Sequence, residues 1–341
     1  MIKKSTCFVL GAGASHSYGF PLGKSLIKSI ISETSVFSLD RHQQQTDFIN
    51  SLLITLELLL KKSPNIITIA KFHEALRSSN VQSIDKFLQF RSANAEFEII
   101  GKASIGYLLA PYELPEITRS YTTHGDRPKS EVNWNGGDDW LGHIWDAMIS
   151  GPKTADEVLN SPISFVTFNY DRSLEFLLTD FAKGLFGWDD TEANRMLEAF
   201  PITHIYGDLG AFPRQCIGGS YLAYQGSPRG YAEAAASRIK TIHELVGAKD
   251  GGHITTLENA KSALRRAERI VFLGCAFHEE NMQLLDINSW QSRKEIYFSH
   301  YGLTKIEVNR AQKFFSAAST TNDVFDPHNK SLSFLRSEVE L

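Results

Sequence analysis

FVLGAGASHSYGFPLGKS, residues 8–25, is the stretch from which the fold is read. An apolar run ends at Leu10 and a cluster of glycine and alanine follows. PLGKSLIKSIISE then sets Leu22, Leu26, Ile27 and Ile30 on one helical face. With STCFVL (residues 5–10) as a buried strand, this is a β-loop-α opening. In a parallel sheet such a turn lies outside the carboxyl end of the strand, where N–H groups at a helix start can meet a pyrophosphate. Two familiar phosphate loops do not fit. The dinucleotide pattern G-x-G-x-x-G has His16 where its third glycine belongs. The Walker A pattern ends well at Gly23-Lys24-Ser25, but Tyr18 takes its first glycine position and Pro21 breaks the loop. A tight turn that needs glycine only for backbone freedom is the alternative at this point.

Further along, from about residue 160, strand and helix alternate: ISFVTF, DRSLEFLLTDFAKG, PITHIYG, LENAKSALRRAE, RIVFLG, HEENMQLLD, KEIYFS and LTKIEVNRAQKFF. Strands separated by helices predict a parallel sheet covered on both faces. Before that region, residues 43–62, 66–78 and 83–110 read as successive helices, broken at SPN (63–65) and SSN (78–80). Arg119–Gly137 reads as a polar loop, and DDWLGHIWDAMIS as another helix capped by Asp138 or Asp139. The expectation is an α/β chain: one doubly wound, mainly parallel Rossmann-like sheet over residues 1–341 with a large helical insertion at 36–150. No internal repeat or low-complexity tract interrupts it.

The bulk properties narrow the function classes. A net charge of −4 with both signs interspersed argues against a basic nucleic-acid footprint, so no direct nucleic-acid partner is expected. The longest apolar segment, SLLITLELLL, is roughly half of a membrane span and carries Glu57, which predicts a buried helix and no membrane role. MIKKSTCFVLGAG runs straight into the first strand, leaving no room for a secretory leader, so a cytoplasmic location is expected. Cys7, Cys216 and Cys275 are far apart and lack metal-ligand spacing; neither zinc nor a disulfide is expected.

Polar or small residues gather at three further strand ends. ISFVTF runs into Asn169-Tyr170-Asp171, PITHI into Tyr206-Gly207-Asp208, and RIVFL into Gly274-Cys275-Ala276-Phe277-His278. GAGAS, the following Gly19-x-Pro21, Ser83-Ile84-Asp85, TFNYD and the histidine before a strand-end glycine together resemble the ordered motif set of the sirtuin-like superfamily. The resemblance implies that Gly11, Ala12, Gly13, Ala14 and Ser15 hold the pyrophosphate of NAD+. It also implies that Asn169 orients the nicotinamide ribose and a water, and that a histidine acts as base. Sirtuins carry that histidine directly before the glycine; here Tyr206 stands there and His204 two residues earlier. Residues i and i+2 of a strand share a face, so both can look into one cleft, and His204 is the candidate base. An unperturbed imidazole, with a pKa of about 6.5, is largely neutral at cell pH, as a base must be.

The same resemblance makes Gly19, Pro21, Asp85, Thr167, Tyr170, Asp171, Tyr206 and Gly207 candidate lining residues. It adds Gly274, Phe277 and Asn281 from IVFLGCAFHEENMQLL. Each has a purely structural reading beside it: Asn169 and Asp171 as a cap for DRSLEFLL, His204 as a hydrogen-bonded core histidine, HEEN as a capped helix start. Deacetylating sirtuins carry two close cysteine pairs that hold zinc, and this chain has none, so it resembles instead the sirtuin-like NAD hydrolases of bacterial antiphage defence. Membership would imply cleavage of the nicotinamide–ribose bond of NAD+ as substrate, no metal, and depletion of NAD+ during abortive infection. Because the sheet and the insertion take up nearly all of the sequence, no second, sensor domain is expected after residue 330. The trigger would then come from a homo-oligomer or a partner such as a HerA-type ATPase, a short Argonaute, or the nucleotide-pyrophosphatase-like subunit of the KongMing system. Other readings are a sensor or scaffold that binds NAD or ADP-ribose without turnover, and a zinc-free deacylase or ADP-ribosyltransferase. A dehydrogenase is disfavoured by His16 and by helix where a second strand should end in an acidic residue.

Overall fold

A strand covered on both faces must be apolar on both, and the unbroken apolar runs of this chain form the centre of its sheet. The computed structural model describes residues 2–35, 43–113, 138–212, 224, 226–247, 251–291, 294–318, 320–321 and 325–341. The strands are β1 (Thr6–Leu10), β2 (Ile163–Thr167), β3 (Ile202–His204), β4 (Arg269–Leu273), β5 (Glu295–Phe298) and β6 (Thr320–Thr321). Their order is β3-β2-β1-β4-β5-β6, and every pairing is parallel. This is the doubly wound order, and its direction of winding reverses between β1 and β4. The register decides what that reversal offers: Leu10 pairs with Thr167 and with Leu273, and Thr167 pairs with His204. The carboxyl ends of four strands therefore finish level, in one row.

The helices are α1 (Ala12–His16), α2 (Gly23–Glu33), α3 (Gln43–Leu60), α4 (Ile66–Ser79), α5 (Ile84–Phe90), α6 (Ala95–Leu109), α7 (Trp140–Ile149), α8 (Ala155–Leu159), α9 (Ser173–Phe186), α10 (Asp190–Ala193), α11 (Arg195–Ala199), α12 (Pro228–Arg238), α13 (Ile242–Gly247), α14 (Gly251–Arg266), α15 (Glu279–Leu284), α16 (Lys305–Phe314) and α17 (Ser331–Glu338). Alternation along β1 divides them between two faces. Phe8 and Leu10 join a core with α2 to α9, α12 and α17, while Cys7 and Val9 join a second core with α14, α15 and α16. Both faces are thus covered, as the alternation of strands and helices predicts.

The described helices of the insertion lie on the Phe8 face. Its breaks follow side-chain caps: Asn65 starts α4, Ser83 α5, Asn94 α6 and Asp139 α7, each accepting a bond from a backbone N–H of the first turn. Residues 83–110 accordingly form two helices, because Arg91 ends α5 and Asn94 restarts the chain. The expected loop at Arg119–Gly137 and Cys216 fall outside the described residues. The expectation of a glycine loop at 11–15 is corrected: Gly11 is an N-cap and Ala12–His16 is a helical turn, held by Gly13 and Ala14 N–H bonds to Gly274 O and Gly11 O.

Candidate functional site

Asn169 lies two residues beyond the end of β2, beside the β1–α1 junction. Its side-chain nitrogen donates to Gly11 O at 2.9 Å and to Ser15 Oγ at 2.8 Å, and its backbone N–H donates to Thr167 Oγ1 at 3.0 Å. A carbonyl oxygen accepts only, so the atom facing Gly11 O must be the NH2 group. The Ser15 hydroxyl donates to Asp171 Oδ2 at 2.6 Å, and the Ser173 hydroxyl donates to Asp171 Oδ1. Burial pushes the Asp171 carboxyl above its ordinary range against these bonds. Gly11 O and the chain Asn169–Ser15–Asp171–Ser173 take one proton each of the Asn169 amide. Its Oδ1 has no partner among the described residues, and the residue is 9 % exposed. An amide clamped by its nitrogen presents a fixed acceptor.

The glycines at the switch point have a backbone cause. Gly11 N–H donates to Leu273 O at 2.9 Å and Gly13 N–H to Gly274 O at 3.0 Å, closing the end of β1 onto the end of β4. A Cβ on Gly11 would lie 2.5 Å from Gly274 O, and one on Gly13 2.7 Å from Gly274 Cα. Side chains there would wedge the two strand ends apart. These two N–H groups are therefore already engaged, whereas Ala12 is exposed at the rim and Ala14 is buried.

His204, the last residue of β3, bridges two elements. Its Nδ1 donates to the main-chain carbonyl of Asn169 at 2.8 Å, and its Nε2 meets Glu175 Oε1 of α9 at 2.8 Å. Burial alone would lower the imidazole pKa, but the Glu175 carboxylate, with Asp208 behind it, raises it to about 9. The expectation of a neutral histidine poised as a base is therefore corrected: it is charged at neutral pH and both nitrogens are engaged. Asp208 sits below its ordinary range, because its paired Arg238 outweighs burial.

The remaining expected residues divide. Tyr170 OH donates to Asp85 Oδ1 of α5, and Tyr206 OH donates to Asn281 Oδ1 of α15 at 2.5 Å, so the insertion and the β4 side both reach the row of strand ends. Burial, then the nearby Asp85 carboxylate, raises both tyrosines. Lys86 of α5 pairs with Glu280 of α15 at 2.6 Å, a bridge between the same two elements. Gly207 turns the chain at φ +75° after β3, and Gly19 does so at φ +89° between α1 and α2 ahead of Pro21. Phe277 does not line the cleft: it is 1 % exposed and its ring packs among Phe272, Phe298 and Phe315. Glu175, which sequence reasoning passed over, lies one helical turn after Asp171 on the apolar helix DRSLEFLL; that placement was its only signal. Compared with known proteins, the chain matches no family model and no curated sequence.

Proposed function

We propose that the chain is an NAD+ glycohydrolase that cleaves the nicotinamide–ribose bond to give nicotinamide and ADP-ribose. The observation that carries the reading is Asn169, whose amide is clamped by Gly11 and Ser15 so that Oδ1 is left without a protein partner among the described residues beside the β1/β4 switch point, where a doubly wound sheet takes its ligand. Nicotinamide leaves as a neutral molecule from a cationic precursor, so the chemistry asks for position and a negative field rather than a strong acid. Asp171, held by hydroxyls rather than by a cation, supplies that field, Asn169 Oδ1 orients a ribose hydroxyl or the attacking water, and His204 holds the Asn169 backbone instead of removing a proton. The sirtuin-like motif set supports NAD+ as the substrate. It also supports an NAD-depleting role in cytoplasmic antiphage defence, exercised as a homo-oligomer or with one of the partner classes named above.

A specific observation favours a second reading, a sensor that binds NAD or ADP-ribose without turnover: both His204 nitrogens and the Gly11 and Gly13 N–H groups are engaged within the protein. The test is nicotinamide release from NAD+ by the purified chain, alone and in lysate from cells carrying its genomic neighbours. Asn169→Ala should lower kcat/KM by about 100-fold or more, the usual cost of removing one preorganised polar group. Saturable binding without release in every setting would replace the hydrolase with the sensor.

A further inference from the structure

Glu175 occupies the first turn of α9 with its side chain 3 % exposed. One carboxylate oxygen takes the His204 Nε2 bond, and the other, Oε2, is buried with no hydrogen-bond partner. A buried carboxylate left half-satisfied is costly, so a residue that needed only one acceptor would be served as well by glutamine. What glutamate adds is charge. His204 faces two acceptors at 2.8 Å, a carbonyl and a carboxylate, and only a doubly protonated ring bonds to both. We propose that Glu175 is a positioning residue for the reaction: its charge keeps His204 doubly protonated, so that Nδ1 fixes the main-chain carbonyl of Asn169 and thereby the direction of its free Oδ1.

The line runs from α9 through β3 to the loop after β2, and each link is a single 2.8 Å bond. The charged groups around His204 are Glu175 on α9, Asp208 in the turn after β3, and Asp171 where the β2 loop enters α9; Asp208 is itself neutralised by Arg238 of α12. Glu175 is thus the one in direct contact. The inference rests on the hydrolase reading for its catalytic consequence and on geometry alone for its structural one.

Glu175→Gln keeps an acceptor and removes the charge. In the full chain labelled with 15N-histidine and 15N-asparagine, the His204 ring of the wild type should titrate near 9, and in the variant about two units lower or more. Above that lowered value the Asn169 side-chain amide signals of the variant should lose their wild-type shifts. In the NAD+ assay the variant should approach wild-type kcat, within about threefold, at pH 6, and fall at least about tenfold below it at pH 8, with KM changed less than about twofold. An unshifted His204 titration, or an equal loss of activity at every pH, overturns the proposal. If the wild type turns over no NAD+, the hydrolase reading fails alone. The two NMR signals then decide the positioning role: joint movement upholds it, and an unmoved Asn169 signal ends it.

Discussion

At Gly274 the backbone stands at φ +62°, and a Cβ there would lie 2.1 Å from the amide nitrogen of Ala14 and 2.4 Å from the carbonyl carbon of Gly13. Neither atom can yield, because both belong to the helical turn that closes β1 onto β4. Gly274→Ala combines left-handed strain with overpacking against backbone, and about 2–4 kcal/mol of stability should be lost. Gly184, within α9, meets nothing within 4 Å, and Gly184→Ala should gain about 0.5–1 kcal/mol from helix propensity. Chemical denaturation with unchanged m-values checks the pair, and similar effects at both sites would refute the packing argument. Three residues on, Phe277 carries a bulky side chain at φ +52°. The strain, roughly 1–2 kcal/mol, is offset by burying a ring worth about 2–3 kcal/mol, so this loop keeps its shape through its aromatic neighbours. The glycines were legible in the sequence as a special turn. Their reason was not, because Gly274 reaches Gly11 only once β4 lies beside β1.

The element that fixes the Asn169 loop from behind is the start of α9, and its anchor is a buried ion pair. Arg172 N–H donates to Glu113 Oε1 at 2.6 Å, its guanidinium meets Glu113 Oε2 at 2.5 Å, and Tyr231 of α12 accepts from Arg172 and donates to Glu113 at 2.6 Å. The guanidinium also lies over the Tyr231 ring at 5.2 Å. Glu113 follows the insertion helix α6, so this cluster joins the insertion to the β2–α9 junction three residues from Asn169. A buried pair adds little over a well-packed apolar one, but losing one partner strands a charge. Glu113→Gln should cost about 3–5 kcal/mol, whereas Arg172→Met with Glu113→Leu should recover most of that loss. Thermal or denaturant unfolding of the three proteins checks it; a double variant as damaged as the single one would contradict the assignment. Residues 83–110 were legible as helix from their period. That Glu113 would answer Arg172 across 59 residues was not, since no local pattern marks a buried ion pair.

At the scale of the whole molecule, the order β3-β2-β1-β4-β5-β6 brings together residues spread from Gly11 to Asn281. The alternation of apolar runs and helices foretold the layers, and the strand-end position of Asn169, His204 and Gly274 foretold their convergence. The ionisation of the site was not foretold, because it depends on Glu175 lying against His204 in the folded protein. That dependence gives the global stability a pH signature. The folded pKa of His204, about 9, exceeds the ordinary histidine value of about 6.5. Its stabilisation is therefore complete below about pH 6.5 and is lost as pH rises towards 9. His143 has the opposite sign: burial and Arg336 lower its pKa, so its contribution is present above the ordinary histidine value and is lost as pH falls through the lowered one. Between pH 6.5 and 9 the two no longer compete, and the unfolding free energy should decline by on the order of 3 kcal/mol through His204 alone. His204→Gln should lose stability at pH 6 and flatten this limb, while His143→Gln should leave the limb unchanged. Denaturant unfolding at half-unit steps across the window measures both slopes. A limb that persists undiminished in His204→Gln would show that the imidazole is not held as a cation, and would remove the ion pair on which the placement of Asn169 has been built.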